Sequence, residues 1–218
     1  MDAAILNSNP KKSIRYRMEN SIPPTAAPSR TAPSPLRAAL DRSAWVRRAI
    51  TILADDGVDG LRVEILAKSL KVTKGSFYWH FKDRRDLLDA VLVIWKEGRV
   101  SDIRKQTQCQ PGAEATALLH TIDVYAAARN RKGIHIEAAV RDWARRDAQA
   151  ASVVEEVDAE RLACACRLFL ACGMSDSEAR ARSVMLYAYV FGVSLMRCDR
   201  FAPDLLELKH WIADRIAR

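Results

Sequence analysis

The sequence contains little glycine and proline, and no segment shows the alternating pattern of a β-strand. Of its 218 residues, eight are glycine and eight are proline, and the only prolines beyond residue 40 are Pro111 and Pro203. The rest of the chain is rich in alanine, leucine, arginine and acidic residues, which favour helix over strand. The sequence therefore predicts an all-α fold.

Long apolar runs are also missing. No segment approaches the roughly 18 residues that span a bilayer, because Asp89 interrupts the best candidate in the front half and Arg167 the best one in the back half. The N-terminus lacks the apolar core of a secretory signal. The five cysteines are an odd number, which is typical of reduced thiols rather than of a disulfide framework. We therefore expect a cytoplasmic protein that makes no membrane contact.

Motifs for catalysis or metal binding are absent as well. The sequence contains no nucleophile–base set and no phosphate-binding loop, and no nearby histidine joins Cys164 and Cys166 in a zinc site. Cysteines two positions apart point to different sides of a helix, so we expect them to fill space in the core, with a thiol sensor as the alternative. The prediction is a protein without enzymatic activity, cofactor or metal, and an enzyme in the back half is the weaker alternative.

Positive charge is concentrated in the front half of the chain. The net charge is +8, and residues 1–100 contain 18 Lys and Arg against 11 Asp and Glu, whereas residues 101–218 contain 17 against 16. This asymmetry indicates that the front half contacts a polyanion. A solvated basic surface is the alternative interpretation.

Residues 1–40 have the composition of a disordered basic arm. The segment from Ser21 to Arg37, SIPPTAAPSRTAPSPLR, has few bulky apolar side chains with which to offset the entropy of ordering. Two interpretations stay open: the arm contacts phosphates or a minor groove, or it is an inert extension.

Three helices are predicted directly after this arm. The first runs from Asp41 to Asp55, the second spans roughly Arg62 to Leu70, and the third runs from Lys74 to His80 with Thr73 as its N-cap. Two short helices joined by three residues are the signature of a helix-turn-helix. The segment from Thr73 to Phe81 is therefore the predicted recognition helix.

The predicted recognition helix has an apolar side and a polar side. Phe77 and Phe81 are expected to point into the core, and Gly75 leaves room for close approach to DNA. The side chains expected on the outer face offer hydrogen-bond donors for phosphates and base edges. They are Lys74, Ser76, Tyr78, Trp79 and His80.

The stretch from Asp56 to Leu88, DGVDGLRVEILAKSLKVTKGSFYWHFKDRRDLL, resembles the N-terminal domain of the TetR family of transcriptional regulators. Its most specific part is KVTKGSFYWHFKDRRDLL, with a Val, a Thr cap, a Gly-Ser-Phe-Tyr run and a basic start to the next helix, which carries paired leucines. The resemblance covers residues 41–100. It implies a helix-turn-helix head at 41–101 and a helical ligand-binding and dimerisation body at 102–218.

The resemblance also implies roles for individual residues. Thr73 would cap the recognition helix and bind a phosphate, and Arg84, which opens the fourth helix, would bind another. The remaining implied DNA contacts are Arg62, Lys74, Gly75, Ser76, Tyr78, Trp79 and His80. Alternatives stay open for three of these residues, since Trp79 could pack inward, His80 could simply end a helix and Arg84 could pair with a carboxylate.

Two positions depart from the family pattern. The family usually has glycine in the turn where this chain has Lys71, and it often has threonine where this chain has Arg62. A side chain in a left-handed turn costs roughly 1–2 kcal/mol, so the turn is either strained or different in geometry. Arg62 can still bind a phosphate, but it caps a helix less well than threonine.

The back half is predicted to contain longer helices. The expected spans are 112–130, 134–146, 150–172, 175–198 and 203–217. Because one head reads only a few base pairs, a specific site needs two heads. We therefore expect a homodimer, formed through the last two long helices, on a near-palindromic operator.

The resemblance further implies that a small molecule binds within the body. The candidate pocket residues are His120, Asp123, Tyr125, Trp143 and Tyr187. Each of them could equally be an ordinary interior residue. The leading hypothesis is a sequence-specific transcriptional regulator, a repressor that an effector releases from its operator. The alternative is a nonspecific architectural DNA-binding protein, which would not need the large, nearly neutral body.

Overall fold

The computed structural model describes residues 41–126, 131–196 and 205–217, and all the regular elements in these ranges are helical. The predicted all-α fold is therefore confirmed. The front half contains α1 (Arg42–Asp56), a 3₁₀ turn (Val58–Gly60), α2 (Val63–Ser69), α3 (Lys74–Phe77) and α4 (Arg84–Thr107). The back half contains α5 (Glu114–Ala126), α6 (Arg131–Ala144), α7 (Ala148–Ala171), α8 (Asp176–Leu195) and α9 (Leu205–Ala217).

Local sequence signals explain where several helices begin. The carboxylate of Asp41 accepts a hydrogen bond from the Ala44 N–H at 2.8 Å and so caps α1. Asp83 caps α4, Asp147 caps α7 and Ser175 caps α8 in the same way. Such side chains satisfy N–H groups that have no partner within the helix. The predicted body helices match the observed ones to within three residues wherever the predicted boundary is described. The predicted boundaries at residues 130, 198 and 203 lie outside the described residues.

Aromatic packing forms the centre of the front half. Phe77 is fully buried, with its ring centroid 5.5 Å from that of Trp45 in an edge-to-face arrangement and 5.1 Å from that of Phe81 in a stacked one. Such pairs add to the stabilisation that comes from the buried apolar area. The prediction that Phe77 and Phe81 point inward is confirmed.

The core of the front half continues into the back half without a break. Val140 and Trp143 of α6, together with Ala150 and Val157 of α7, belong to the same buried cluster as Trp45. The boundary predicted between residues 101 and 102 falls within α4, which continues to Thr107. The division into two domains stays a prediction, and the shared core gives a route by which the two parts affect each other.

A second buried cluster lies among α5, α7, α8 and α9, with Phe169, Leu186 and Tyr187 at its centre. None of the described helices combines the length and the apolar character that crossing a membrane requires. The predicted arm at residues 1–40 and Cys198 lie outside the described residues, as does the side chain of Tyr125.

Candidate nucleic-acid interface and a cavity in the body

The turn between α2 and α3 is closed by two backbone hydrogen bonds. The Val72 N–H donates to the Ala67 carbonyl at 3.0 Å and the Lys71 N–H to the Lys68 carbonyl at 3.1 Å, which is the pattern of a Schellman motif. Lys71 has φ 58°, in the left-handed region. The turn therefore keeps the geometry that favours glycine, and the lysine side chain makes it strained. Ala67 is buried beside this turn, as expected for a small residue between crossing helices.

The start of α2 shows the second departure from the family pattern. Arg62 has the extended backbone of an N-cap, but its side chain makes no capping hydrogen bond. Its carbonyl accepts from the Leu66 N–H at 3.0 Å. The prediction that Arg62 caps poorly is confirmed, and its exposed guanidinium lies on the same short helix pair as the predicted recognition residues.

The predicted recognition helix is shorter in the structure than the sequence indicated. Its α-helical part ends at Phe77, and residues 78–80 form a turn in which the His80 N–H donates to the Phe77 carbonyl at 2.9 Å. The predicted helix end at His80 is therefore wrong, because the chain turns after Phe77 and buries Phe81 before α4 begins. Thr73 occupies the N-cap position as predicted, but its side chain makes no capping hydrogen bond.

The outer face of this segment carries two large exposed aromatic side chains. Tyr78 is 61% exposed and Trp79 is 87% exposed. Tryptophan is highly buried on average in folded proteins, because the indole has a large apolar area to remove from water. The alternative in which Trp79 packs inward is thereby excluded. Gly75 is open, since a Cβ there would meet only the Thr73 Oγ1 atom at 3.7 Å.

The other side chains predicted to contact DNA are less exposed than Tyr78 and Trp79, or are paired with another residue. The Lys74 Nζ atom lies 2.8 Å from the Glu64 carboxylate of α2, and this pairing holds the pKa of Glu64 below its ordinary value. Ser76 is half-buried. His80 is also half-buried, and its ring centroid lies 6.5 Å from that of Trp45. The positive charge that Lys74 adds to this face is therefore partly neutralised by Glu64.

Arg84 has a structural task that the sequence did not reveal. Its Nε atom donates to the Leu61 carbonyl at 2.6 Å and its Nη2 atom to the Val58 carbonyl at 2.7 Å. These bonds fasten the connection between α1 and α2 to the start of α4. Any phosphate contact by Arg84 has to share the guanidinium with these carbonyls.

Arg42 is a residue of this surface that the sequence analysis missed. Its guanidinium lies 4.6 Å from the centre of the Phe81 ring, pairs with Asp86 at 2.6 Å and donates to the His80 carbonyl at 3.3 Å. It therefore locks α1 onto the end of the recognition segment. The partners are about forty residues apart in sequence, so no local pattern could have indicated the contact.

The predicted pocket residues do not come together. His120 and Asp123 are exposed on α5, whereas Trp143 and Tyr187 are buried in the two different core clusters. None of these four lines the cavity described next. They were chosen as polar or aromatic residues within an apolar pattern, and that signal equally marks ordinary core positions.

A cavity of about 250 Å³ lies between α4, α6 and α8. Most of its wall is apolar, and charged side chains stand around it. The lining residues are Arg99 of α4, then Gly133, Ile134, Glu137, Ala138, Arg141, Asp142 and Arg145 of α6, and Phe191, Ser194 and Leu195 of α8.

A buried network of ion pairs forms one side of this cavity. The fully buried Arg161 of α7 pairs with Glu137 at 2.8 Å and with Asp158 at 2.8 Å, and Arg141 pairs with Asp158 at 2.6 Å and with Glu137 at 2.9 Å. Burial opposes the charge of Arg141, but its carboxylate partners outweigh that effect and raise its pKa. Two cations and two anions thus neutralise each other.

The fold and the two short helices define the class of this molecule: a helix-turn-helix unit joined to an α-helical body that encloses a cavity. Residues 46–91 match the sequence profile of bacterial regulatory proteins of the tetR family. Over 52 residues the chain is 46% identical to the class C tetracycline repressor of Escherichia coli, and the matched part covers 24% of either chain. The chain thus spans about a quarter of the length of that relative.

Solved structures share the fold over most of the chain. A transcriptional regulator from Rhodococcus sp. Rha1 superposes with a TM-score of 0.63 at 20% identity, over 81% of this chain and 94% of the other. The multidrug-binding protein EbrR, solved with malachite green, superposes with a TM-score of 0.60 at 21% identity, over 80% and 96%. The similarity to the tetR family thus lies in residues 46–91, which contain most of α1, the two short helices and the start of α4.

Proposed function

We propose that this protein is a sequence-specific DNA-binding transcriptional regulator, a repressor that a small-molecule effector releases from its operator. The observation that carries the proposal is the exposure of Tyr78 and Trp79 on a segment whose opposite side is fixed by the buried Phe77. A rigid helix pair that presents aromatic and basic groups outward suits insertion into a major groove. Such a regulator acts where the DNA is, and we therefore propose a cytoplasmic location.

We assign the DNA contacts to the helix pair and its flanks. Tyr78 and Trp79 would reach base edges and sugar, and Lys74 and Thr73 would reach phosphates. The other proposed contacts are Arg62, Gly75, Ser76, His80 and Arg84. We assign His80 and Arg84 a smaller contribution to DNA binding, because His80 is half-buried and the Arg84 guanidinium already donates to backbone carbonyls.

We further propose a homodimer formed through α8 and α9. Several large apolar side chains on these helices are exposed in the single chain, which is unusual unless a partner covers them. They are Val184 and Met185 of α8 and Leu208 and Trp211 of α9. Two copies related by a twofold axis would present their heads to the two halves of a near-palindromic site.

The cavity between α4, α6 and α8 is our candidate effector site. Its wall includes Arg99 of α4, the helix that begins in the head, and α6 shares the head's core through Val140 and Trp143. A ligand that fits one arrangement of these helices better than another would shift the spacing of the two heads.

Selection of bound fragments from a random DNA pool, using the full chain at about 150 mM salt, tests the proposal. We expect a near-palindromic consensus. Enrichment of no sequence, with a footprint spread evenly along DNA, would instead support the nonspecific architectural protein.

Alanine variants of the exposed aromatic residues test where the interface lies. Tyr78→Ala and Trp79→Ala should each weaken binding to the selected site by roughly 10-fold or more, as for lost base contacts. Trp79→Ala should leave the melting temperature unchanged, because Trp79 is 87% exposed. Tyr78→Ala should lower it slightly, because the Tyr78 ring packs edge-on against Phe77 with the ring centroids 5.2 Å apart. Phe77→Ala is the matched control and should unfold the head. Full affinity in both exposed variants would show that the interface lies elsewhere.

A further inference from the structure

The charged groups around the cavity are nearly all paired with one another. Arg99 pairs with Asp102 at 2.5 Å, and Asp142 pairs with Arg146 at 2.7 Å. Glu137 and Arg141 belong to the buried network with Asp158 and Arg161, in which the charges cancel. These groups therefore offer little net charge to a ligand.

Arg145 is the exception. It lines the cavity from α6 and is exposed, and its guanidinium forms no ion pair with any residue in the described part of the chain. The backbone N–H of Arg145 donates to the Asp142 carbonyl at 3.2 Å, which fixes the turn at the end of α6 beside the cavity. Among the described residues that line the cavity, Arg145 thus contributes an uncompensated positive charge at the rim.

The aromatic ring in the wall already has cationic neighbours. The Arg141 guanidinium carbon lies 4.5 Å from the centre of the Phe191 ring, and that of Arg161 lies 5.2 Å from it. These are cation–π distances. A cationic ligand would find this ring engaged and would be repelled by Arg145, whereas an anion would meet an unpaired guanidinium.

We infer that the cavity binds a small amphipathic monoanion, such as a monocarboxylate with an apolar body. The carboxylate would pair with Arg145, and the body would lie along Ile134, Ala138, Phe191 and Leu195. The volume of about 250 Å³ is just below the ~300–1,000 Å³ of sites for drug-sized ligands, so the ligand is a compact molecule. Its role as an effector rests on the proposed function; its binding does not.

Calorimetry on the full chain with three probes of equal chain length tests the inference. The probes are decanoate and decylammonium, each below its micelle concentration, and decan-1-ol, below its solubility limit in water. We expect decanoate to bind about 10-fold more tightly than the alcohol, as for one partly exposed charge-assisted contact, and decylammonium to bind least. Equal affinities, preference for the ammonium, or no binding of decanoate would each overturn the inference.

Variants of Arg145 test where the anion binds. Arg145→Gln should abolish the preference for decanoate over decan-1-ol, and Arg145→Lys should retain most of it. Arg180→Gln is the control, since Arg180 is similarly exposed but lies away from this cavity, paired with Asp176. A charge preference that survives Arg145→Gln would refute the role of that guanidinium.

A space-filling variant separates the cavity from the outer surface. Ala138→Phe adds a bulky group to the wall, and it should weaken the binding of decanoate and decan-1-ol alike, while circular dichroism reports an unchanged fold. Unaltered binding of both probes would place them outside the cavity and overturn the inference.

A DNA measurement keeps this inference distinct from the proposed function. If decanoate binds with the expected charge preference but the chain selects no DNA sequence, the regulator proposal fails and the monoanion site stands. If the chain selects an operator but none of the probes shows the expected preference, the site fails and the regulator stands.

Discussion

At the scale of single residues, Lys71 shows that the geometry of the turn prevails over the preference of its side chain. The departure from glycine left open whether the turn would be strained or would change its course. The φ of Lys71 is 58°, and the two hydrogen bonds that close the turn are formed. The turn therefore keeps the left-handed geometry that suits glycine, and Lys71 is strained. The packing of α2 against α3 stabilises this turn by more than the left-handed conformation of Lys71 destabilises it.

Lys71→Gly should therefore stabilise the protein. Relief of the left-handed strain, worth about 1–2 kcal/mol, exceeds the added entropy of glycine in the unfolded chain, about 0.5–1 kcal/mol. We expect a net gain of about 0.5–1 kcal/mol in the free energy of unfolding, measured with urea. Lys71→Ala is the matched control: it removes the charge but keeps the strain, so an equal gain there would contradict this explanation.

Glu64 is a residue whose removal should strengthen DNA binding. Its carboxylate pairs with Lys74 and adds a negative charge to the face proposed to meet phosphates. Glu64→Gln would release Lys74, and we expect about threefold tighter binding to the selected site at low salt, as for other exposed ion pairs. The dependence of the logarithm of affinity on the logarithm of salt should steepen by up to about one.

The control for this effect is Glu97→Gln, which makes the same charge change on an exposed position of α4. Filter binding or fluorescence anisotropy across a salt series gives both quantities. Weaker binding by Glu64→Gln would mean that the carboxylate holds Lys74 in its productive position.

At the scale of elements, one ion pair connects the start of α4 with the start of α7. The Arg85 Nη1 atom lies 2.5 Å from the Asp147 carboxylate, which also caps α7 by accepting from the Ala150 N–H at 2.9 Å. The hydrogen bond from Arg85 is the main cause that lowers the pKa of Asp147 to about 2. The acidic group is thus stabilised in its charged form by the fold.

This connection predicts a stability change confined to acid. Because the pKa of Asp147 is lower in the folded state than its ordinary 3.8, its stabilisation is complete above about pH 5 and is lost as the pH falls through about 2. Solvent screens the partly exposed Arg85, so Asp147→Asn should lower the free energy of unfolding by about 1 kcal/mol at pH 7. The difference from the unmodified protein should shrink towards pH 2.

Asp147→Ala separates the two tasks of this side chain. It removes the cap as well as the charge and should cost about 1 kcal/mol more than Asp147→Asn. Urea unfolding of both variants between pH 2 and pH 7 measures the difference. An asparagine variant whose deficit is the same at every pH would contradict the role of the charge.

The boundaries of the helices show which of them the sequence signals could predict. The helix starts predicted at residues 41, 84 and 175 are correct to within one residue. The caps at these starts, Asp41, Asp83 and Ser175, each act within three residues of their own position, so the local sequence is sufficient. The end of α3 was misplaced, because it depends on the burial of Phe81, which stacks on Phe77 beneath the guanidinium of Arg42. Arg42 is distant from Phe81 in sequence, so no local pattern shows this contact.

At the scale of the whole molecule, the exposed apolar face of α8 and α9 governs the assembly that we propose. Met185→Arg places a charge on this face, where Met185 is 55% exposed in the single chain. In a twofold interface the two copies would carry the charge into a desolvated contact. We expect a shift from dimer to monomer in analytical ultracentrifugation, and a loss of operator affinity of at least about 10-fold, because one head reads only half of the site.

The control variant is Val93→Arg, which puts the same charge on a similarly exposed apolar position of α4. It should leave the assembly unchanged. A Met185→Arg variant that remains a dimer with full operator affinity would move the interface to another face.

The sequence by itself determined the all-α fold, the start of most helices and the helix-turn-helix segment, because these depend on caps, on helical periodicity and on a motif about thirty residues long. The tertiary structure decided which partners surround the proposed site residues. Arg84 is directed to the carbonyls of Val58 and Leu61, Arg42 closes the end of the recognition segment, and the cavity residues are separate from His120 and Tyr187. These contacts join residues far apart in the chain, and only the packing of the helices brings them within hydrogen-bonding distance.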